Sequence, residues 1–166
     1  MRPLFIVCGN AGVGKTTFGE KLAQEHEAVL LDIDTVSEQL VRAGLQSNGM
    51  DPDDRDSPQF KTIYRDAIHE TLFNIAQQNL PHRPCVIVAP FTQERRDPQF
   101  LSVCQHRMGT LVQVYYLSCS EDTRKRRIVA RQNPRDAGKL AHWSSYSAHG
   151  RDAGPPPFPH ILVHTD

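Results

Sequence analysis

One octapeptide constrains this chain more than any other stretch: Gly9-Asn10-Ala11-Gly12-Val13-Gly14-Lys15-Thr16, a full match to the spacing G-x-x-x-x-G-K-[ST]. It follows the apolar run Leu4 to Cys8 and opens a helical pattern in which Phe18, Leu22 and Ala23 share one face and Glu20, Lys21 and Gln24 the other. The glycines open backbone conformations closed to other residues, so successive N–H groups can point inward at an anion. The helix beginning at the same place adds its positive end. A glycine-rich turn with no ligand is the bland alternative, and the complete match in a strand-to-helix context weighs heavily against it. Polyphosphate is the expected ligand. Lys15 would reach the β- and γ-phosphates and the Thr16 hydroxyl would ligate Mg²⁺, so ATP and Mg²⁺ are the expected cofactors. The expected nucleotide-binding set is Gly9, Asn10, Ala11, Gly12, Val13, Gly14, Lys15, Thr16 and Thr17.

Apolar runs recur along the rest of the chain at Val29 to Ile33, Cys85 to Ala89, Leu111 to Leu117 and Ile161 to Val163. Between them lie helical patterns over about Lys15 to His26, Thr35 to Ala43, Pro58 to Gln78, Gln93 to Met108 and Glu121 to Arg131, with a weaker one over Ala137 to Ala148. Strands that are apolar throughout and separated by helices predict an α/β fold, a parallel sheet buried between two helical layers. Gln46 to Ser57 and Arg151 to Pro159 read as loops too short to divide the chain, so residues 1–166 are expected to form a single domain.

Composition narrows the function classes. With 19 basic and 19 acidic residues the formal net charge is zero, which argues against electrostatic binding along a nucleic-acid backbone. No apolar stretch approaches the ~20 residues that cross a bilayer, and the N-terminal apolar run is too short for a secretory leader, so a cytoplasmic protein without membrane partners is expected. Cys8, Cys85, Cys104 and Cys119 lack paired spacing and read as buried free thiols. The eight histidines show no metal-ligand spacing; His142 and His149 are loop candidates at best.

Beyond the octapeptide, the second strand carries Leu30-Leu31-Asp32-Ile33-Asp34, two carboxylates at i and i+2 that would share one face of an extended chain. Acids at the carboxyl end of a buried strand lie where open α/β sheets bind ligands. Asp32 is assigned to the metal with Thr16, and Asp34 to an acceptor proton. The alternative is that Asp32 or Asp34 merely caps the following helix, a place that suits Asp34 well. The third strand ends without an acid, which leaves the metal to the aspartate pair. In Glu121 to Arg131, Lys125 and Arg126 have acids four residues earlier to pair with, whereas Arg127 and Arg131 stack at like-charge spacing with Arg124 beside them. An anion between Arg127 and Arg131 would relieve that conflict, so both are assigned to the transferring phosphate, with Arg135 a further candidate.

The acceptor side is expected over about residues 35–80, which supply Arg42, Arg55, Lys61, Tyr64 and Arg65. After the third strand, Pro90-Phe91-Thr92-Gln93-Glu94-Arg95-Arg96 lies at the ligand edge; Thr92, Arg95 or Arg96 could meet an acceptor, with Asp34 and Arg65, although Thr92 is as well suited to capping the next helix. Trp143 and Tyr146, at i and i+3, suit either a stacking face or plain packing.

These motifs together, the octapeptide, Leu-Asp-Ile-Asp, Arg127-x-x-x-Arg131 and a short lid over about residues 124–150, resemble the small-molecule kinase branch of P-loop proteins. That branch includes shikimate, gluconate and nucleotide kinases, zeta toxins, polynucleotide kinases and the AAA_33 group. The resemblance implies a three-layer P-loop fold with sheet order 2-3-1-4-5, Asp34 as the acceptor-activating aspartate, and Arg127 and Arg131 as lid arginines. It implies phosphoryl transfer from Mg-ATP to a hydroxyl of a small molecule, catalysed by Lys15, Asp34, Arg127 and Arg131. Arg135-Asp136-Ala137-Gly138-Lys139-Leu140, Trp143 and Tyr146 depart from the shikimate and gluconate members, which leaves the acceptor open. Two other readings compete: a 5′-hydroxyl polynucleotide kinase, and a regulatory module that holds nucleotide without a kinase activity.

Overall fold

In a computed structural model of the chain, which describes residues 2–148 and 154–166, five strands form one sheet: β1 (Leu4–Gly9), β2 (Val29–Asp32), β3 (Cys85–Val88), β4 (Val112–Ser118) and β5 (Ile161–His164). Their order is β2-β3-β1-β4-β5 and every pairing is parallel, the order expected for a P-loop fold. β1 sits at the centre, and all its residues and all those of β3 are buried. Alternation along β1 then feeds two cores. Leu4, Ile6 and Cys8 pack with Leu72, Phe73 and Met108 on one face, while Phe5 and Val7 pack with Leu22 and Ala23 of α1 (Lys15–Glu25) on the other. Each such side chain removed from water stabilises by about 1.5–3 kcal/mol.

Layer order matches the sequence reading; several boundaries do not. β2 stops at Asp32, and α2 (Ile33–Ser47) starts two residues earlier and runs four longer than its apolar pattern indicated. The reason is a cap: Asp32 Oδ1 accepts from the Asp34 N–H at 2.9 Å. Asp34 is therefore inside the first turn of a helix, and the two acids do not share a face of an extended chain. The helix from Pro58 is continuous but carries a π turn, giving α3 (Pro58–Phe60), the turn Lys61–Arg65 and α4 (Asp66–Asn79). The pattern over residues 93–108 splits at Pro98 into a 3₁₀ turn, Glu94–Arg96, and α5 (Phe100–Met108), because Asp97 takes the extended conformation required before proline. β5 is an edge strand and mostly exposed, not a buried one. Phe158, buried against Phe100 with ring centroids 5.9 Å apart, pins the chain just before it.

After β4 come α6 (Glu121–Ala130), a 3₁₀ turn at Pro134–Asp136, α7 (Ala137–Ala141) and α8 (Trp143–Ala148). Ser120 caps α6, and Gln132 takes a positive φ of 48° that turns the chain back toward the carboxyl edge of the sheet. The expected pairs of Lys125 and Arg126 with Glu121 and Asp122 do not form. Glu121 instead accepts from the Trp143 indole N–H at 2.7 Å, and Arg126 reaches Thr123. Trp143 is thereby a packing residue, 8% exposed under Arg124. His142 is exposed, and His149 lies outside the described residues. Cys8, Cys85 and Cys104 are buried free thiols that burial pushes up to about 11, 11 and 12, while Cys119 is half-buried. Among the described residues no helix is long and apolar enough to cross a membrane.

Candidate active site

At the carboxyl edge of the sheet β1 runs into the glycine loop, whose Gly12 and Gly14 take φ of 82° and 90°. A side chain at Gly12 would press on the Arg124 carbonyl at 2.9 Å and on Ile128 at 3.0 Å, so the loop lies directly against α6. Arg124, 4% exposed, holds it there by donating Nε–H to the Ala11 carbonyl at 3.1 Å. This removes Arg124 from the expected phosphate stripe and makes it a support of the loop. Lys15 folds back over the loop, with Nζ donating to the Asn10 carbonyl at 2.9 Å. Desolvation, reinforced by the Arg95 charge, pushes its ammonium down to about 8. Gly9 and Val13 anchor the loop from within, the Val13 side chain buried in the core and its carbonyl accepting from Thr165.

Arg95 corrects the sequence reading. It was expected to meet an acceptor, but it is 1% exposed, donates to Asn10 Oδ1 beneath the loop and lies over the Tyr116 ring at 5.5 Å. A 3₁₀ turn advances about a third of a circle per residue, so neighbours within Glu94–Arg96 point in different directions. Arg95 points into the core and Arg96 into the cavity.

Thr16 and Asp32 meet as expected: the hydroxyl donates to Asp32 Oδ2 at 2.7 Å, and Asp32 is 6% exposed. A hydroxyl and a carboxylate form an oxygen donor set of the kind Mg²⁺ takes alongside phosphate oxygens and water. Among the described residues no cluster of three or more His, Cys, Asp or Glu would hold a metal by protein ligands alone. The residues present therefore fit a nucleotide-bound Mg²⁺.

Asp34 faces the same cavity but not as a free base. Arg135 Nη1 donates to Asp34 Oδ1 and to Glu38 Oε2, each at 2.9 Å. Desolvation would raise the Asp34 carboxyl; the hydrogen bond and charge of Arg135, with Lys15 and Arg131, override it and hold Asp34 below the ordinary carboxylate range. Glu38 also takes Arg55 at 3.1 Å, so the segment after α6 is tied to α2 through one carboxylate pair. Asp136, 1% exposed, accepts two bonds from Arg131, at 2.6 and 2.7 Å, and one from Lys139 at 3.1 Å. Asp136 thus supplies the negative charge that an anion was expected to bring to Arg131. Arg127 is placed beside Gly14 by Thr165, through the threonine carbonyl and hydroxyl.

The cavity bounded by these groups has a volume of about 600 Å³. Of the predicted residues it brings together Lys15, Thr16, Thr17, Asp32, Asp34, Arg65, Thr92, Arg127 and Arg131, with Tyr146 at its wall. Thr92 lines it without capping a helix, since the following turn starts after Gln93 and lacks a side-chain cap. Four residues given no role in the sequence reading also matter: Glu38 and His69, and, from the segment that departs from the shikimate and gluconate members, Asp136 and Lys139. His69 had a readable signal, its position four residues after Arg65 on one helix; Glu38 likewise follows Asp34 by four.

The AAA_33 profile of the AAA domains matches residues 4–149. No curated protein matches in sequence. Solved structures share the fold at low identity. A Chloroflexus aurantiacus protein provisionally described as a kinase superposes with a TM-score of 0.69 at 19% identity, covering 99% of this chain and 85% of that one. A sugar kinase of Janibacter sp. HTCC2649 gives 0.63 at 16%, covering 99% and 86%. Shikimate kinase of Bacteroides thetaiotaomicron gives 0.52 at 14%, again covering 99% and 86%. Together with the loop-to-helix geometry and the 2-3-1-4-5 sheet, the profile match over most of the sequence leads to one conclusion: this chain belongs to the AAA_33 family and has the P-loop kinase fold.

Proposed function

We propose that the protein transfers the γ-phosphoryl group of Mg-ATP to a hydroxyl of a small-molecule acceptor. The observation that carries this reading is the continuity of one cavity of about 600 Å³, lined by the glycine loop, by Thr16 and Asp32, by Asp34, and by Arg65 and Thr92. Its volume lies in the range of small-molecule sites.

The roles divide by place. Main-chain N–H groups of residues 9–17 and Lys15 bind the polyphosphate. Thr16 and Asp32 would hold Mg²⁺, which when bound neutralises charge on the β- and γ-phosphates. Asp34 accepts the acceptor's hydroxyl proton as the new oxygen–phosphorus bond forms and the β–γ bridge breaks, leaving ADP. For that, Asp34 has Oδ2, since Oδ1 is held by Arg135; Arg127, with the Arg131 Nη1 that Asp136 does not engage, flanks the transferring phosphate. Such chemistry needs the Mg-ATP of the cytoplasm.

Incubating the purified chain with Mg-ATP and pooled sugars, nucleosides, hydroxy acids, aminoglycosides and cell extract tests this. A phosphorylated product that Lys15→Ala does not make is expected. Nucleotide binding with no acceptor-dependent product, and slow turnover untouched by Asp34→Asn, would instead describe a regulatory NTPase. Label transferred to an oligonucleotide 5′ end would describe a polynucleotide kinase.

A further inference from the structure

The kinase reading counts the wall built by α4 and the segment after β3 as part of the cavity but assigns its charged groups no partner. We infer that Arg65, Arg96 and His69 form a recognition site for an anionic group of the acceptor, a carboxylate or a phosphate ester, with Thr92 and Gln93 beside it for the acceptor's hydroxyls; this assignment rests on the kinase reading for the site's purpose.

Three observations support it. The first is that the wall is pre-built. Glu94 Oε1 accepts from Arg65 Nη2 at 2.6 Å and lies 2.8 Å from His69 Nδ1. An ionised carboxylate only accepts, so Nδ1 carries the proton and Nε2 is the ring position left for another partner. Glu94 does not line the cavity, whereas Arg65 and His69 do. Their side chains are only 20% and 11% exposed, so one carboxylate behind the wall fixes two polar groups at its surface before any ligand arrives.

The second is a strained backbone at the root of the wall. Phe91 is fully buried yet has φ of 45°, a left-handed conformation that a bulky side chain seldom takes. It is held there by His69, Phe73 and Phe100, whose ring centroids lie 5.0, 5.8 and 5.4 Å away. The turn it makes presents Thr92 and Gln93 to the cavity and leads into the 3₁₀ turn that sends Arg96 there. Strain of this kind persists where surrounding structure enforces it, commonly at ligand sites.

The third is charge. Among the described residues nine lysine and arginine side chains line the cavity against four aspartates. Glu38, Glu94 and Asp66, one contact behind, offset three more of the positive charges. Mg-ATP would cancel about two further charges and would do so at the Lys15 end. Arg96 makes no ion pair among the described residues. That leaves Arg96 without a counter-charge at the far end of the cavity, where an anionic group of the acceptor supplies one and an uncharged polyol does not.

The test uses the full chain with ¹⁵N-labelled arginine, with Mg²⁺ and a non-hydrolysable ATP analogue filling the phosphate loop. Inorganic phosphate, acetate and glycerol are titrated separately, with Arg65→Lys and Arg96→Lys assigning the Nε signals. Saturable shifts of Arg65 and Arg96 are expected with phosphate or acetate, the responsive anion identifying the class, and no shift with glycerol. In Arg96→Gln, an exposed position whose replacement does not threaten folding, anion affinity should drop at least tenfold while the analogue binds as before. Absence of a saturable shift with either anion, or an equal shift with glycerol, overturns the inference. Failure of the analogue to bind would count against the kinase reading instead, and the anion titration without analogue would still decide the present one.

Discussion

Asp32 carries two structural duties with one carboxylate: Oδ1 caps α2 through the Asp34 N–H and Oδ2 takes the Thr16 hydroxyl. Asp34, displaced into the helix by that cap, is left for chemistry. Asp34→Asn is therefore expected to lower acceptor-dependent turnover by about 10²–10⁴-fold while Mg-ATP affinity changes by no more than a few-fold, measured by steady-state kinetics and calorimetry. Residue by residue, what was legible in the sequence was chemistry set by local backbone. The glycine loop, Lys15, Thr16 and Asp32 could be read because their spacing alone places them. The Arg95 and Arg96 choice could not, because it depends on the phase of a short turn launched from a positive φ at Phe91, and nothing in a phenylalanine announces that. Arg131 was assigned to phosphate for a sound reason, a like-charge neighbour, but the compensating carboxylate comes from Asp136 after a helix break.

At the scale of elements, two contacts hold the site together. The first is the approach of α1 to β3. Gly19 is buried, and a Cβ there would overlap Cγ2 of Val88. Gly19→Ala is expected to destabilise by about 1–3 kcal/mol through overpacking, read as a lowered midpoint in denaturant at unchanged slope. The second is the docking of the segment after α6. Burial alone would raise the Asp136 carboxyl; the Arg131 hydrogen bonds and the charges of Lys139 and Arg131 outweigh it and hold it below the ordinary range. A carboxyl with a depressed folded value stabilises above its unfolded value of about 4 and loses that contribution as pH falls through the folded one. Amide-exchange protection of residues 134–141 should accordingly persist at neutral pH and weaken on acidification below about 4. Asp136→Asn should weaken it at neutral pH, by about 1–3 kcal/mol, with the β1 and β3 amides unaffected. Helix existence was legible from apolar spacing, but two ends were not. The start of α2 depends on a cap that could have been either aspartate, and the π turn at Lys61–Arg65 leaves no compositional trace. The break at Pro98 was legible in principle, since the residue before proline resists the helix.

At the scale of the molecule, the fold follows from strands that are apolar on both faces and from helices between them. That pattern dictates a parallel sheet, and a parallel sheet with β1 at its centre gathers the ends of β1, β2 and β3 at one edge. The glycine loop, the Asp32 cap and the Phe91 turn are those three ends, which is why one cavity contains all of them. β5 was legible as a strand but not as an exposed edge, because its apolar residues match those of a buried one. The central claim is that this edge binds a nucleoside triphosphate through the loop at residues 9–17, with Lys15 supplying charge. Isothermal titration of the folded chain with ATP in the presence of Mg²⁺ tests it most directly. Saturable binding near one nucleotide per chain, weakened at least tenfold in a folded Lys15→Ala variant, is predicted; no heat of binding with any nucleoside triphosphate, or equal affinity in the variant, would contradict it.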